Sequence, residues 1–182
     1  LYWKAVQTLG FKRGLELTDP IKVMFASLKA RDLLQKAMKK PTTLSRGLMS
    51  QYYLNMFLHN EALAEIEQAV EMDPNNPELH AWMSKILWLM GEDKDAIESA
   101  KRAIRLDPKN PAGYLISQAM AYSPDGNLEE SLILLERARM LNPELSGAIG
   151  LQQSIIYGLQ GQTEKARAAY EIFRKSLVCP DK

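Results

Sequence analysis

Apolar positions along the chain recur at helical rather than two-residue spacing, in short bursts broken by turn residues. The clearest pair of bursts is NPELHAWMSKILWLMGEDKDAIESAKRAIRLDP, from Asn76 to Pro108. It reads as two short amphipathic helices joined by a turn at Met90-Gly91-Glu92 and closed by a turn at Leu106-Asp107-Pro108. No segment sustains an alternation of apolar and polar residues, so the pattern predicts helices and no sheet.

The rest of the chain repeats this hairpin. Gly91, Gly126 and Gly161 are 35 apart, as are Ala96, Ser131 and Ala166, and Ala103, Ala138 and Phe173. Pro143 follows Pro108 by 35, while Pro74, Ala69 and Ala62 precede Pro108, Ala103 and Ala96 by 34. Each landmark has a physical reason. Glycine supplies the positive φ of a tight helix–helix turn. Alanines seven apart lie on one stripe of the second helix and let a neighbour approach closely. Asp-Pro or Asn-Pro stops that helix, because the residue before proline is pushed out of the helical region. In the first helix of each unit a small residue precedes a bulky one by three: Ser50 and Tyr53, Ser84 and Leu87, Ala119 and Tyr122, Ser154 and Tyr157.

A helix–turn–helix of this length with Gly, Ala, Ala and Pro at these spacings resembles the tetratricopeptide repeat (TPR). The resemblance implies an all-α superhelix of four units, 43–76, 77–111, 112–146 and 147–178, ending in a flexible tail at 179–182. The aromatic usual early in the first helix is replaced by Arg46, His80, Leu115 and Gly150. The first unit carries Phe57 where the turn glycine is expected; the last has Phe173 for alanine and Val178 for proline. Atypical end units are common in stacks of repeats. Residues 1–42 predict a longer, degenerate hairpin, with helices over Leu1–Leu17 and Pro20–Lys40 and with Ala30 and Ala37 again seven apart. More diffusely, Lys29–Trp82 and the step Leu106-Asp107-Pro108-Lys109-Asn110-Pro111-Ala112-Gly113-Tyr114-Leu115 are similar to TPR regions of bacterial adenylate cyclase-like proteins.

Composition adds limits. With 46% apolar and 25% charged residues the chain fits a packed domain. No apolar run approaches the roughly 18–20 residues of a bilayer span, so no membrane crossing is expected within this fragment. The sequence begins at Leu1 rather than Met, from which we expect a piece of a longer chain, with a leader, anchor or catalytic domain upstream. Residues 1–46 hold ten Lys/Arg against three Asp/Glu, and residues 47–182 hold thirteen against nineteen. The basic end suits a solvated helical face better than an RNA platform, since basic and aromatic residues do not alternate there. The lone Cys179 forms no internal disulfide and fits no zinc pattern. The cytoplasm is the expected compartment, with the periplasm as the alternative.

Nothing in the sequence carries catalysis. The two histidines, His59 in the first turn and His80 on a packing face, lack partners at ligand spacing. The carboxylates of Glu92, Asp93, Asp95, Glu129, Glu130 and Glu164 fall at turns and helix starts, where the helix dipole accounts for them. We therefore expect no enzyme, metal or cofactor. What remains is the concave face that first helices line in such a stack. By register it carries Leu44, Gln51, Leu54 and Asn55; Glu78, Ala81, Lys85, Trp88 and Leu89; then Gly113, Ile116, Met120, Ala148, Leu151 and Ile155. A carboxylate-gripping clamp, found in one TPR subclass, is not expected: of Gly47, Gln51, Lys85, Gly113 and Ser117 only one is cationic. An extended or helical peptide held by apolar contacts fits better, with Trp88 either an anchor or a packing residue. Two other readings stand beside this protein-binding scaffold. One is a homodimer through the last helix, Thr163–Leu177, whose outer stripe Ala166, Tyr170, Phe173 and Leu177 has no following helix to cover it. The other is a regulatory or oligomerisation region of a larger bacterial signalling protein.

Overall fold

The turn that glycine was expected to make is present in every unit, including the one without glycine. Gly91, Gly126 and Gly161 have φ of 80°, 77° and 71°, and Phe57 has φ of 59°. The closure around three of them is the same. The N–H after the left-handed residue donates five residues back: Leu58 to Tyr53 at 3.0 Å, Glu92 to Leu87 at 2.9 Å, Gln162 to Tyr157 at 2.8 Å. These bonds satisfy carbonyls that a helix C-terminus leaves open. The acceptor is each time the bulky member of the small–bulky pair. Phe57 takes this geometry at a cost of about 1–2 kcal/mol that glycine avoids.

The computed structural model describes residues 20–123 and 126–177. Among them the helices are α1 (Pro20–Ala37), α2 (Thr43–Asn55), α3 (His59–Met72), α4 (Pro77–Met90), α5 (Asp93–Leu106), α6 (Ala112–Tyr122), α7 (Leu128–Leu141), α8 (Ser146–Leu159) and α9 (Thr163–Leu177). A 3-10 turn, Pro143–Leu145, leads into α8. The helix expected over Leu1–Leu17, Cys179 and the tail at 179–182 lie outside the described residues. The helix expected over Pro20–Lys40 stops at Ala37, and His59 opens α3 instead of lying in the turn. Starts are capped locally. Thr42 accepts from the Ser45 N–H at 3.2 Å while Ser45 Oγ accepts from the Thr42 N–H at 2.8 Å. Asn76 accepts from the Glu78 N–H at 3.1 Å, with Pro77 in the first turn of α4.

Each even-numbered helix and the one after it fold back as a hairpin: α2 on α3, α4 on α5, α6 on α7, α8 on α9. The second helix of each hairpin then packs on the first helix of the next, and α4 also packs on both α2 and α6. Consecutive second helices have no comparable contact. The stack therefore curves with the first helices inside. Burial follows the repeat. Ala62, Ala69, Ala96, Ala103, Ser131 and Ala138 are all 0% exposed, whereas Ala166 and Phe173 of the last unit are only half-buried. The stripe is sealed where another unit follows it. The core is a chain of clusters: Leu54, Ala62, Ile66, Leu79 and Ile86 at the first junction, Leu87, Ala96, Ile97 and Ala121 at the second, Leu115, Leu134, Leu135, Ile149 and Ile156 at the third.

Candidate functional site: the concave face

The helices of the inner face place equivalent residues in rows one repeat apart. Gln51, Lys85, Met120 and Ile155 form one row, and Gly47, Ala81, Ile116 and Leu151 the next. The two rows change character along the stack. In the first half the second row is closed. A Cβ on Gly47 would stand 2.6 Å from the ring of Trp82, so the indole of α4 lies directly over the backbone of α2. Ala81 is buried beside it at 8% exposure, and Leu54 is core at 5%. Leu54 and Ala81 were expected on the open face; both are instead sealed by the neighbouring helix and offer it no surface. In the second half Ile116, Met120 and Leu151 are half-buried and Ile155 is 45% exposed. There α6 and α8 do not pack on each other as the earlier first helices do, and the apolar rows are left accessible.

Beside the apolar cluster at this junction, a polar triad ties α7 to α8. Gln153 of α8 is 3% exposed; its amide donates to Glu136 at 2.8 Å and its carbonyl accepts from Arg139. Arg139 also pairs with Glu136 at 3.2 Å. The pattern did not foretell this triad or the Trp82–Gly47 contact. The second had a signal in the sequence: glycine at the one place in the row where a side chain would collide with an indole.

The remaining polar points are placed as follows. Lys85 is exposed on this face. Partial desolvation by its surroundings holds its pKa below the ordinary lysine value, and among the described residues no ion pair involves it. The Gln51 amide nitrogen, one repeat away in the same row, is buried without a hydrogen-bond partner among them. Asn55 and Glu78 are exposed. Burial first, then the charges of Asp107 and Glu78, push the Tyr114 hydroxyl up. Trp88 is half-buried against the Leu87, Ala96, Ile97 and Ala121 cluster, so it packs as well as lining the face. Leu89 lies on the edge of the stack, beside Phe57 and Leu58. His80 is core: its Nε2 is 2.8 Å from the Pro74 carbonyl and donates to it, pinning the turn between the first and second units.

Lys85 yields a prediction. Its folded-state pKa is depressed, so the charged lysine opposes folding at neutral pH, and stability rises as pH climbs from the folded value towards 10.5. Lys85→Met should raise the melting temperature at pH 7, with the gain over wild type shrinking as pH rises towards 10.5. Thermal denaturation across that range checks it; a gain independent of pH contradicts it.

The tetratricopeptide repeat family profile matches residues 58–120. No curated protein matches the sequence. Among solved structures, MamA superposes with a TM-score of 0.59 at 16% identity, covering 90% of this chain and 95% of that one. A thermophilic TPR protein of Thermus thermophilus gives 0.66 at 22%, covering 74% of each chain. PilW, a type IV pilus biogenesis factor, gives 0.70 at 14%, covering 86% of this chain and 72% of that one. Residues 58–120 are tetratricopeptide repeats, and the described chain has the α-solenoid fold of those structures.

Proposed function

We propose that this tetratricopeptide-repeat solenoid is a non-catalytic protein-interaction scaffold whose concave face holds a peptide or a segment of a partner protein. The observation that carries the reading is the uncovered apolar row of α6 and α8: Ile116, Met120, Leu151 and Ile155. Apolar side chains of a bound peptide would seat there, and removing that surface from water supplies the affinity. Lys85 points to the polar half of recognition. Lys85 presents an ammonium that forms no ion pair among the described residues, so oxygens of the peptide match it and fix its register, with Gln51 behind it as a buried amide one repeat away. Trp88, Asn55 and Glu78 flank this path. Selection of peptides from a random library on the intact chain tests the proposal. Selected peptides should be rich in apolar residues and should lose binding to the Ile155→Asp chain; undiminished binding would sink the reading.

Self-association through α9 is a second reading with its own observation. Tyr170 is 48% and Ile172 41% exposed, and Ala166 and Phe173 stay half-buried where their counterparts in earlier units are sealed. A second copy packed on this face would complete the burial. Light scattering should then give a dimer that Tyr170→Glu returns to monomer, whereas a monomer at millimolar concentration counts against it. Either reading is compatible with a regulatory region of a larger signalling protein, which the diffuse similarity to cyclase-linked repeats suggests.

A further inference from the structure

The edge of the stack, where first helices turn into second helices, carries a feature the concave face does not use. Phe57 occupies the left-handed turn position that the other units give to glycine, and its side chain is 85% exposed. Around it Met56, Leu58 and Leu89 are 40%, 42% and 40% exposed. Phe57, Leu58, Leu89 and Met90, with His59 and Glu61, line a cleft of about 510 Å³ between the first turn and the end of α4. That volume suits one or two large side chains rather than a whole element. An equivalent cleft of about 460 Å³ recurs two units on, at Gly126, Leu128, Glu129, Glu130 and Ile133. The aromatic is specific to the first. Charge at this edge is mostly negative. Glu61 lies in the first turn of α3, Glu92 follows Met90 by two residues, and Asp93 and Asp95 open α5, against Lys94 alone.

We propose that the Phe57 cleft is a second docking site, separate from the concave face, for a cationic amphipathic segment of a protein partner. One large apolar side chain of that segment enters the cleft against Phe57 and Leu89. Lysines or arginines within a turn of it face Glu61 and the carboxylates at the start of α5. Apolar contact supplies the anchor, and the charge pattern selects against acidic segments.

The test uses three synthetic 15-residue peptides and the intact chain, read by fluorescence anisotropy. One peptide has a central leucine flanked by lysines, one has the same leucine flanked by glutamates, and one has the lysines around a central serine. The first should bind at least tenfold more tightly than the other two. Phe57→Gly and Glu61→Lys should each weaken it at least tenfold. Phe57→Gly is informative because glycine is the ordinary residue at this φ, so its melting temperature should stay level or rise while docking is lost. Ile155→Asp should leave this binding unchanged, which separates the cleft from the concave face. Equal affinity of Phe57→Gly and wild type overturns the proposal. So does equal binding of the serine peptide, which would mean charge alone, or self-association abolished by Phe57→Gly, which would make a second copy the occupant.

Discussion

Replacing Gly150 with leucine should displace α9 and lower the melting temperature, although leucine is what the third unit carries in the same slot, at Leu115. The reason is local. A Cβ on Gly150 would stand 2.7 Å from the Ala169 carbonyl oxygen and 3.2 Å from the Phe173 backbone nitrogen. These are backbone atoms of α9 and cannot swing aside as a side chain would. Gly147, one turn earlier, lies against the side chain of Ser176 instead, with a Cβ 2.6 Å from Ser176 Cβ and nearer still to its Oγ. The hairpin α8–α9 is thus closed more tightly than any side chain at Gly150 would allow. Leaving glycine would gain about 1 kcal/mol of helix propensity. Overpacking costs typically about 1–3 kcal/mol, and more when a whole leucine is forced in. The clash wins by about 1–2 kcal/mol once that gain is subtracted, and a chain of this size should lose roughly 2–8 °C. Gly158→Ala, on the same helix with nothing within 4 Å of its Cβ, should be neutral or slightly stabilising. Thermal denaturation with proteolysis of α9 reads both. A Gly150→Leu chain as stable as wild type would mean that the helices are not packed this closely.

The second large effect is on binding. Ile155 is exposed enough for substitution to spare the fold. Burying an isoleucine against a ligand is worth about 1.5–3 kcal/mol, and an aspartate in its place adds the cost of a desolvated charge. Ile155→Asp should therefore weaken selected concave-face peptides by roughly 10–100-fold or more, at about 1.4 kcal/mol per tenfold. The thermal stability of the variant should stay close to wild type. Loss of binding without loss of fold is the expected pair of results, and a fold loss of the same size would leave Ile155 a packing residue and contradict its role in the site.

Much of the architecture was legible because the repeat is written in residues with a single purpose. Gly91, Gly126 and Gly161 marked the turns, and their register exposed Phe57 as the exception that still takes the same backbone. The paired alanines marked the sealed stripe, and Phe173 in place of one of them announced the open end. The concave face was legible as a direction but not as a depth. Register says which way Leu54 and Ala81 point. Whether they reach solvent depends on the residue opposite, one repeat away, and Trp82 over Gly47 closes the first half. The slack between α6 and α8 is accompanied by a 3-10 entry into α8 at Pro143–Leu145 and by a polar triad shared between α7 and α8. Neither leaves a periodic mark. The Phe57 cleft was visible only as a departure, a missing glycine, until the structure set Leu89 beside it.

The most direct test of the concave-face account is where a bound peptide lies. A photoreactive residue at Met120, on the inner side, and another at Glu98, on the outer side of α5, can each be irradiated with a library-selected peptide. The account predicts covalent capture from position 120, suppressed by excess unlabelled peptide, and none from position 98. Capture from position 98, or from neither while binding persists, would place the ligand elsewhere and contradict it.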